Sequence, residues 1–198
     1  MSPSPPRRIL VVLGHPDPEP GHLCRALADA YAAGVREGGH GVETLDLSLL
    51  DIPLLRSQHA FEHAAAPDSL RAAQDALLAA DHLVLVFPLW LGTMPALVKA
   101  FLEQVLRPGV AFEYLPGGAT RLLLKGKSAR VVVTMGMPAP VYRWWFLAHG
   151  IRGLERNILG FVGYRPVKET LFGLVKAATP QRRAKWLEEM RALGRRAG

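Results

Sequence analysis

The stretch that decides the fold is FPLWLGTMPALVKAFLEQVLRPGVAFEY, residues 87–114. The apolar run that feeds it, Leu83, Leu85 and Phe87 interleaved with Val84 and Val86, has no polar alternation and reads as a strand buried on both faces. Pro88 withholds an N–H and stops that strand. A short loop, Leu89 to Thr93, follows at the strand's carboxyl end, and a helix begins at Pro95. Leu97, Val98, Phe101, Leu102 and Val105 recur at helical spacing until Arg107-Pro108-Gly109 ends the helix. A Trp and a Gly at the carboxyl end of a central parallel strand stand where open α/β sheets bind ligands.

Working outward, the same alternation recurs. A first buried strand is predicted at residues 7–14 after a loose N-terminal tail, residues 1–7. A turn-rich loop at 15–22 precedes a helix that begins near Gly21 and ends at Gly38-Gly39. Residues 42–47 read as an edge strand, because Glu43 and Thr44 interrupt the apolar pattern. A long connection at 48–67 leads to a helix at 69–80. Residues 115–127 form a polar, glycine-bearing loop, residues 129–135 a fourth buried strand, and residues 142–160 one helix. A fifth strand lies within 161–172, and an amphipathic helix at 180–196 carries Trp186, Leu187, Met190 and Leu193. Five strands alternating with five helices predict one α/β domain over residues 1–198, a doubly wound five-stranded parallel sheet with helices on both faces.

Composition narrows the class. With 49% hydrophobic and 21% charged residues, the chain is an ordinary globular protein. Its one cysteine, Cys24, permits no internal disulfide and favours a reducing, cytoplasmic setting; its place in a helix suits inert packing. No apolar stretch is long enough for a signal peptide core or a bilayer span. The net charge of +7 is spread along the chain, without an aromatic-interleaved stripe or helix-turn-helix, which argues against nucleic acid. No His, Cys, Asp or Glu group has metal-ligand spacing, and no G-x-S-x-G elbow offers a hydrolase nucleophile. Neither a G-x-G-x-x-G nor a P-loop is present.

The strings P-L-W-x-G-x-M-P-A-x-x-K at residues 88–99 and R-P-G-x-A-F-x-Y at 107–114 resemble the flavodoxin-like NAD(P)H:quinone oxidoreductases. That group includes quinone reductases, modulators of drug activity and ancillary flavoproteins of potassium efflux systems. The resemblance spans nearly the whole chain and implies the strand order 2-1-3-4-5. It also implies a bound flavin, FMN or alternatively FAD, reduced by NAD(P)H and reoxidised by a quinone-like acceptor in a ping-pong exchange. The short chain favours FMN. A homodimer is implied as well.

Three loops carry the site that the resemblance implies. In the first, His15 matches the family's early histidine, whereas Pro20 and His22 replace a hydroxyl residue and an Asn. Phosphate contact then falls to His15, His22 and the helix-start amides at Leu23, helped by the helix dipole. The alternative for His15 is a loop histidine capping a strand end. In the second, Pro88, Leu89, Trp90, Leu91 and Gly92 resemble the segment that lies along the isoalloxazine, with Trp90 as either a ring wall or a core filler. In the third, residues 134–142 resemble T-T-G-G-x-x-x-x-Y: Thr134, Gly136 and Tyr142 keep their places, whereas Met135 and Met137 replace Thr and Gly.

Tyr142 and His149 resemble the family's catalytic Tyr and His pair, although a helical His is also commonly structural. The cluster Trp144-Trp145-Phe146 is read as packing across a dimer interface, with a quinone-side wall or membrane-facing patch as the alternative. The basic last helix leaves a second function open, a flavin-binding regulatory subunit of a membrane transporter, with peripheral membrane or transporter contact.

Overall fold

A computed structural model describes residues 5–197. Five parallel strands form the central sheet: β1 (Arg8–Leu13), β2 (Gly41–Asp46), β3 (His82–Pro88), β6 (Ser128–Thr134) and β7 (Val167–Phe172). They lie in the order β2-β1-β3-β6-β7, the 2-1-3-4-5 arrangement once the sheet's own strands are counted in sequence. The order reverses between β1 and β3, which opens a crevice at their carboxyl ends.

The period-2 geometry of the strands sorts their apolar residues onto two cores. Leu10, Val12, Leu83, Leu85, Phe87, Val131 and Val133 pack toward α3 (Arg71–Ala79) and α4 (Ala96–Val105). Ile9, Val11, Leu13, Val84, Val86 and Val132 pack toward α1 (Leu23–Glu37) and α7 (Pro180–Arg195). Every residue of β3 is buried, which is why the run from Leu83 to Phe87 is apolar without alternation. Of the two edge strands, β2 is the more exposed, with no buried residue, as Glu43 and Thr44 foretold.

Several boundaries differ from the sequence expectations. Pro88 is the last residue of β3 rather than the first beyond it: it stays in register with Thr134, and the Leu89 N–H donates to Thr134 O at 2.8 Å. Proline removes only its own donor, so the register survives it. Residues 115–127 are not a bare loop, because β5 (Thr120–Leu122) pairs antiparallel with β4 (Phe112–Tyr114). The three-residue strand is too short to show a period. The connection at 48–67 holds a turn at Leu47–Leu49 and a short helix, α2 (Gln58–His63), capped by the Ser57 side chain.

The helix expected at 142–160 is interrupted. A wide turn at Val141–Trp145 precedes Leu147 and Ala148, which have φ of 52° and 49°. Only then does α5 (His149–Gly153) begin; a second wide stretch, Leu154–Leu159, leads to α6 (Gly160–Val162). Two consecutive left-handed residues cannot continue a right-handed helix, and neither is the Gly or Asn that marks such a break.

Of the tail expected at 1–7, residues 1–4 lie outside the described residues. Arg7 is held firmly: its guanidinium donates to Ala197 O at 2.7 Å, Asp81 O at 3.0 Å and Ser128 Oγ at 2.8 Å. The basic residues of α7 also serve the fold. Arg191 and Arg195 pair with Glu37 of α1, and Arg182 lies 4.9 Å over the Trp186 ring. No helix of the described residues is long and apolar enough to cross a membrane.

Candidate flavin site

The segments after β1, β3 and β6 share the carboxyl edge of the sheet, and side chains tie them together. The first, residues 14–22, continues the ladder by one bond, Gly14 N–H to Val86 O at 2.7 Å. Beyond it the His15 and His22 rings stack, with centroids 3.8 Å apart and planes at 19°. His22 Nε2 lies 2.9 Å from Asp17 Oδ2, a contact that is ionic when the imidazole is protonated. His15 Nδ1 accepts from the Asp17 N–H at 3.2 Å. Burial first, and then the neighbouring His22, lower the His15 pKa below its ordinary value. The N–H of Glu19, followed by His22, keeps Asp17 ionised to lower pH than usual.

His22 also sits at the head of α1 without capping it. Among the described residues, the N–H groups of Leu23 and Cys24 donate to no protein acceptor. They form, with the helix dipole, a positive end beside the imidazoles.

The second segment is a two-residue turn. Trp90 N–H donates to Thr93 O at 2.9 Å and Thr93 N–H returns to Trp90 O at 3.1 Å. Leu91 and Gly92 between them have φ of 49° and 80°, the pattern of hairpin turns that favour Asn-Gly. Leu91 is fully exposed and Trp90 half-exposed, so Trp90 is not a core filler. Its ring meets His15 edge-on with centroids 6.1 Å apart, joining the first segment to the second.

The third segment joins through Tyr142. The phenol is buried, and its hydroxyl donates to Gly92 O at 2.9 Å. Burial raises the phenol's pKa above its ordinary value, which keeps it a neutral donor. Gly150 lets α5 close on the same turn, since a Cβ there would stand 2.3 Å from Gly92 O. Thr134 and Met135 are buried and their backbone is engaged within the chain, Thr134 O by the Leu89 N–H and Met135 N–H by Phe172 O, both at 2.8 Å; Thr134 Oγ1 meets Cys24 Sγ at 3.2 Å. Burial pushes the Cys24 thiol up to about 11, consistent with packing rather than reactivity. Gly136 is exposed and Met137 partly buried, and Met137 O receives the Leu174 N–H at 3.1 Å.

His149 is exposed at the start of α5, and among the described residues no hydrogen bond joins it to Tyr142. Trp144, Trp145, Phe146 and Leu147 stand exposed beside it. The sequence reading did not single out Asp17 as the partner of His22, nor Gly150 as the contact for the Gly92 turn. Both depend on loop conformations set by prolines and left-handed residues rather than on any spacing.

The edge fits a flavin mononucleotide on donor chemistry. Among the described residues, the N–H groups of Leu91, Gly92, Gly136 and Met137 donate to no protein acceptor. Such donors suit the polar edge of a flat heterocycle, and the imidazoles with the head of α1 suit its phosphate.

Comparison with known proteins gives the chain its family. A family model described as flavodoxin-like fold matches residues 7–193. An uncharacterized NAD(P)H oxidoreductase of Haemophilus influenzae is 27% identical over 168 residues, covering 83% of this chain and 82% of its own. An FMN-dependent NADH:quinone oxidoreductase of Macrococcus caseolyticus is 28% identical, covering 82% and 84%. Among solved structures, an NAD(P)H:quinone oxidoreductase from Methanothermobacter marburgensis superposes with a TM-score of 0.80 at 22% identity, over 96% of each chain, which speaks for the fold alone.

Proposed function

The chain belongs to the flavodoxin-like fold family, and on that premise we propose that it is an FMN-dependent NAD(P)H oxidoreductase acting on quinones or similar flat electrophiles. The observation that carries the reading is the convergence of three loops, stocked with unpartnered backbone donors, on one edge at the β1/β3 reversal. The names of the Haemophilus and Macrococcus relatives, matched over most of their length, support the chemistry. Bound flavin would supply two-electron redox chemistry, taking hydride from a nicotinamide and passing it to the acceptor.

The chain's residues bind and orient. His15, His22 and the Leu23 amide face the phosphate, and FMN is favoured over FAD as the resident form. Leu91 and Gly92 on one side, with Gly136 and Met137 on the other, offer N–H groups to the ring edge. Pro88 and Leu89 set the start of the turn, while Thr134 and Met135 fix the start of the third segment through their buried side chains. Trp90 and Leu91 wall the site and exclude water from it.

Tyr142 holds the Gly92 turn in place, and the exposed imidazole of His149 moves the proton that a quinone needs beyond the hydride. One open edge admits the two substrates in turn. The overall exchange, NAD(P)H, a proton and a quinone giving NAD(P)+ and a hydroquinone, then proceeds by a ping-pong scheme. Exposed Trp144, Trp145 and Phe146 favour a second copy of the chain lying against this rim.

The test is steady-state turnover of the FMN-loaded protein, with NADPH or NADH and a quinone varied together. Parallel double-reciprocal lines support the scheme and intersecting lines overturn it. Absence of quinone-dependent NAD(P)H oxidation would remove the oxidoreductase reading itself.

A further inference from the structure

We propose that the stacked His15–His22 pair is a proton-loading clamp: it takes up a proton as a phosphomonoester dianion binds at the head of α1, and it thereby selects FMN over FAD. The inference rests on the proposed flavin site and adds to it the means of choosing the phosphate.

Two imidazole rings 3.8 Å apart and nearly parallel cannot both carry charge without a compensating anion. Within the chain the compensation is limited. Asp17, with Oδ2 2.9 Å from His22 Nε2, can balance one positive charge on the pair. The other charged groups around the pair do not supply a second. Arg25 of α1 is itself a cation, paired with Asp46 at the end of β2 at 2.5 Å, and Asp17 is the one carboxylate among the described residues that acts on His15; Glu19 contributes its backbone N–H to Asp17 Oδ1 at 3.0 Å. From the second segment the pair meets the uncharged ring of Trp90, edge-on to His15. Within the chain the pair therefore finds a counter-charge for one proton and not for two.

The loop is built for both states of His15. Asp17 N–H lies 3.2 Å from His15 Nδ1 and donates to it when the ring is neutral. Asp17 O lies 3.3 Å from the same nitrogen and accepts from it when the ring is protonated. Loading the proton exchanges one partner for the other without moving the ring out of its stack. Burial and the neighbouring His22 disfavour that loading until a negative group arrives.

The two flavin nucleotides differ in what they bring. A phosphomonoester carries close to two negative charges at neutral pH. The phosphates of a pyrophosphate diester carry one each and do not titrate near neutrality. Only the monoester offers, at a single phosphorus, the second charge that balances the second imidazolium. Pro20, standing where the resemblance leads one to expect a hydroxyl donor, removes a pH-independent way of holding the phosphate.

The experiment is titration of the flavin-free full chain with FMN, FAD and riboflavin from about pH 6.5 to 8, followed by flavin fluorescence quenching. Calorimetry in buffers of differing ionisation enthalpy counts the protons. For FMN, the dissociation constant should rise by up to about tenfold per pH unit, with close to one proton taken up on binding. Riboflavin, and FAD more weakly bound than FMN, should show little dependence. His22→Gln and His15→Gln, each checked for an unchanged melting temperature, should weaken FMN at least tenfold at pH 7, flatten its pH profile and leave riboflavin untouched.

FMN binding that is tight, pH-independent and free of proton uptake would overturn the clamp while leaving the flavin site intact. Equal affinity for FMN and FAD with equal pH profiles would also overturn it. No binding of any flavin at any pH would instead overturn the proposed function, and the clamp with it.

Discussion

The Tyr142 hydroxyl donates to the Gly92 carbonyl oxygen at 2.9 Å, binding the third segment of the sheet's carboxyl edge to the second. The phenol is buried, so Tyr142→Phe would remove a donor and leave the Gly92 carbonyl short of one. Stability should fall by about 1–2 kcal/mol. The turn carrying the Leu91 and Gly92 N–H groups should loosen as well, with FMN bound several-fold more weakly. Chemical denaturation of the flavin-free protein and an FMN titration read the two effects separately. An unchanged FMN affinity would mean that Tyr142 supports the fold and not the site.

Leu91 carries a left-handed backbone and a fully exposed apolar side chain, an expensive choice for a turn that Asn-Gly would fill without strain. Strain held at an exposed position suggests that the side chain has a task there. Leu91→Asn should stabilise the flavin-free protein by about 0.5–1 kcal/mol and weaken FMN binding through loss of the apolar wall. Melting curves and FMN titration measure the two together. Stabilisation with no loss of affinity would leave the leucine without a role in the site.

At the opposite end of the sheet, His82 is buried among cations. Its Nδ1 lies 2.8 Å from Ser128 Oγ, which also accepts from Arg7. The Ser128 hydrogen is thereby free to donate to Nδ1, which suits a neutral imidazole. Burial, aided by Arg7 and Arg130, pushes the His82 pKa down to about 3.

The sign follows. Between pH 6.5 and 3 the unfolded imidazole takes up a proton that the folded one refuses, so stability is full above 6.5 and is lost as pH falls. The loss attributable to this residue should begin near pH 6.5 and steepen toward about 1.4 kcal/mol per pH unit roughly a unit below it. Unfolding free energies of the wild type and His82→Gln from pH 7.5 to about 5 test it, and the variant's profile should be the flatter one. Parallel profiles would contradict the assignment.

These relationships were unevenly legible in the sequence. The sheet was open to reading because a strand buried on both faces must be apolar at every position, and Leu83 to Phe87 are. The edge position of β2 was equally plain from Glu43 and Thr44. The interruption at Leu147 and Ala148 was not, since leucine and alanine in a helical run give no sign of a left-handed backbone. β5 went unnoticed because three residues carry no period. Within the site, the three loops could be assigned from their places after the strands, and His15, His22 and Trp90 do meet. The contacts of Asp17 with His22 and of Gly150 with Gly92 arise only once the loops have folded.

The measurement that bears most directly on the whole account is the visible spectrum of the purified protein with FMN added, then NADPH or NADH under anaerobic conditions. The account expects saturable binding that perturbs the flavin bands, followed by bleaching on addition of the nicotinamide and recovery on addition of a quinone. A protein that remains folded but neither perturbs nor protects FMN at any concentration would contradict it, leaving the flavodoxin-like fold without its flavin.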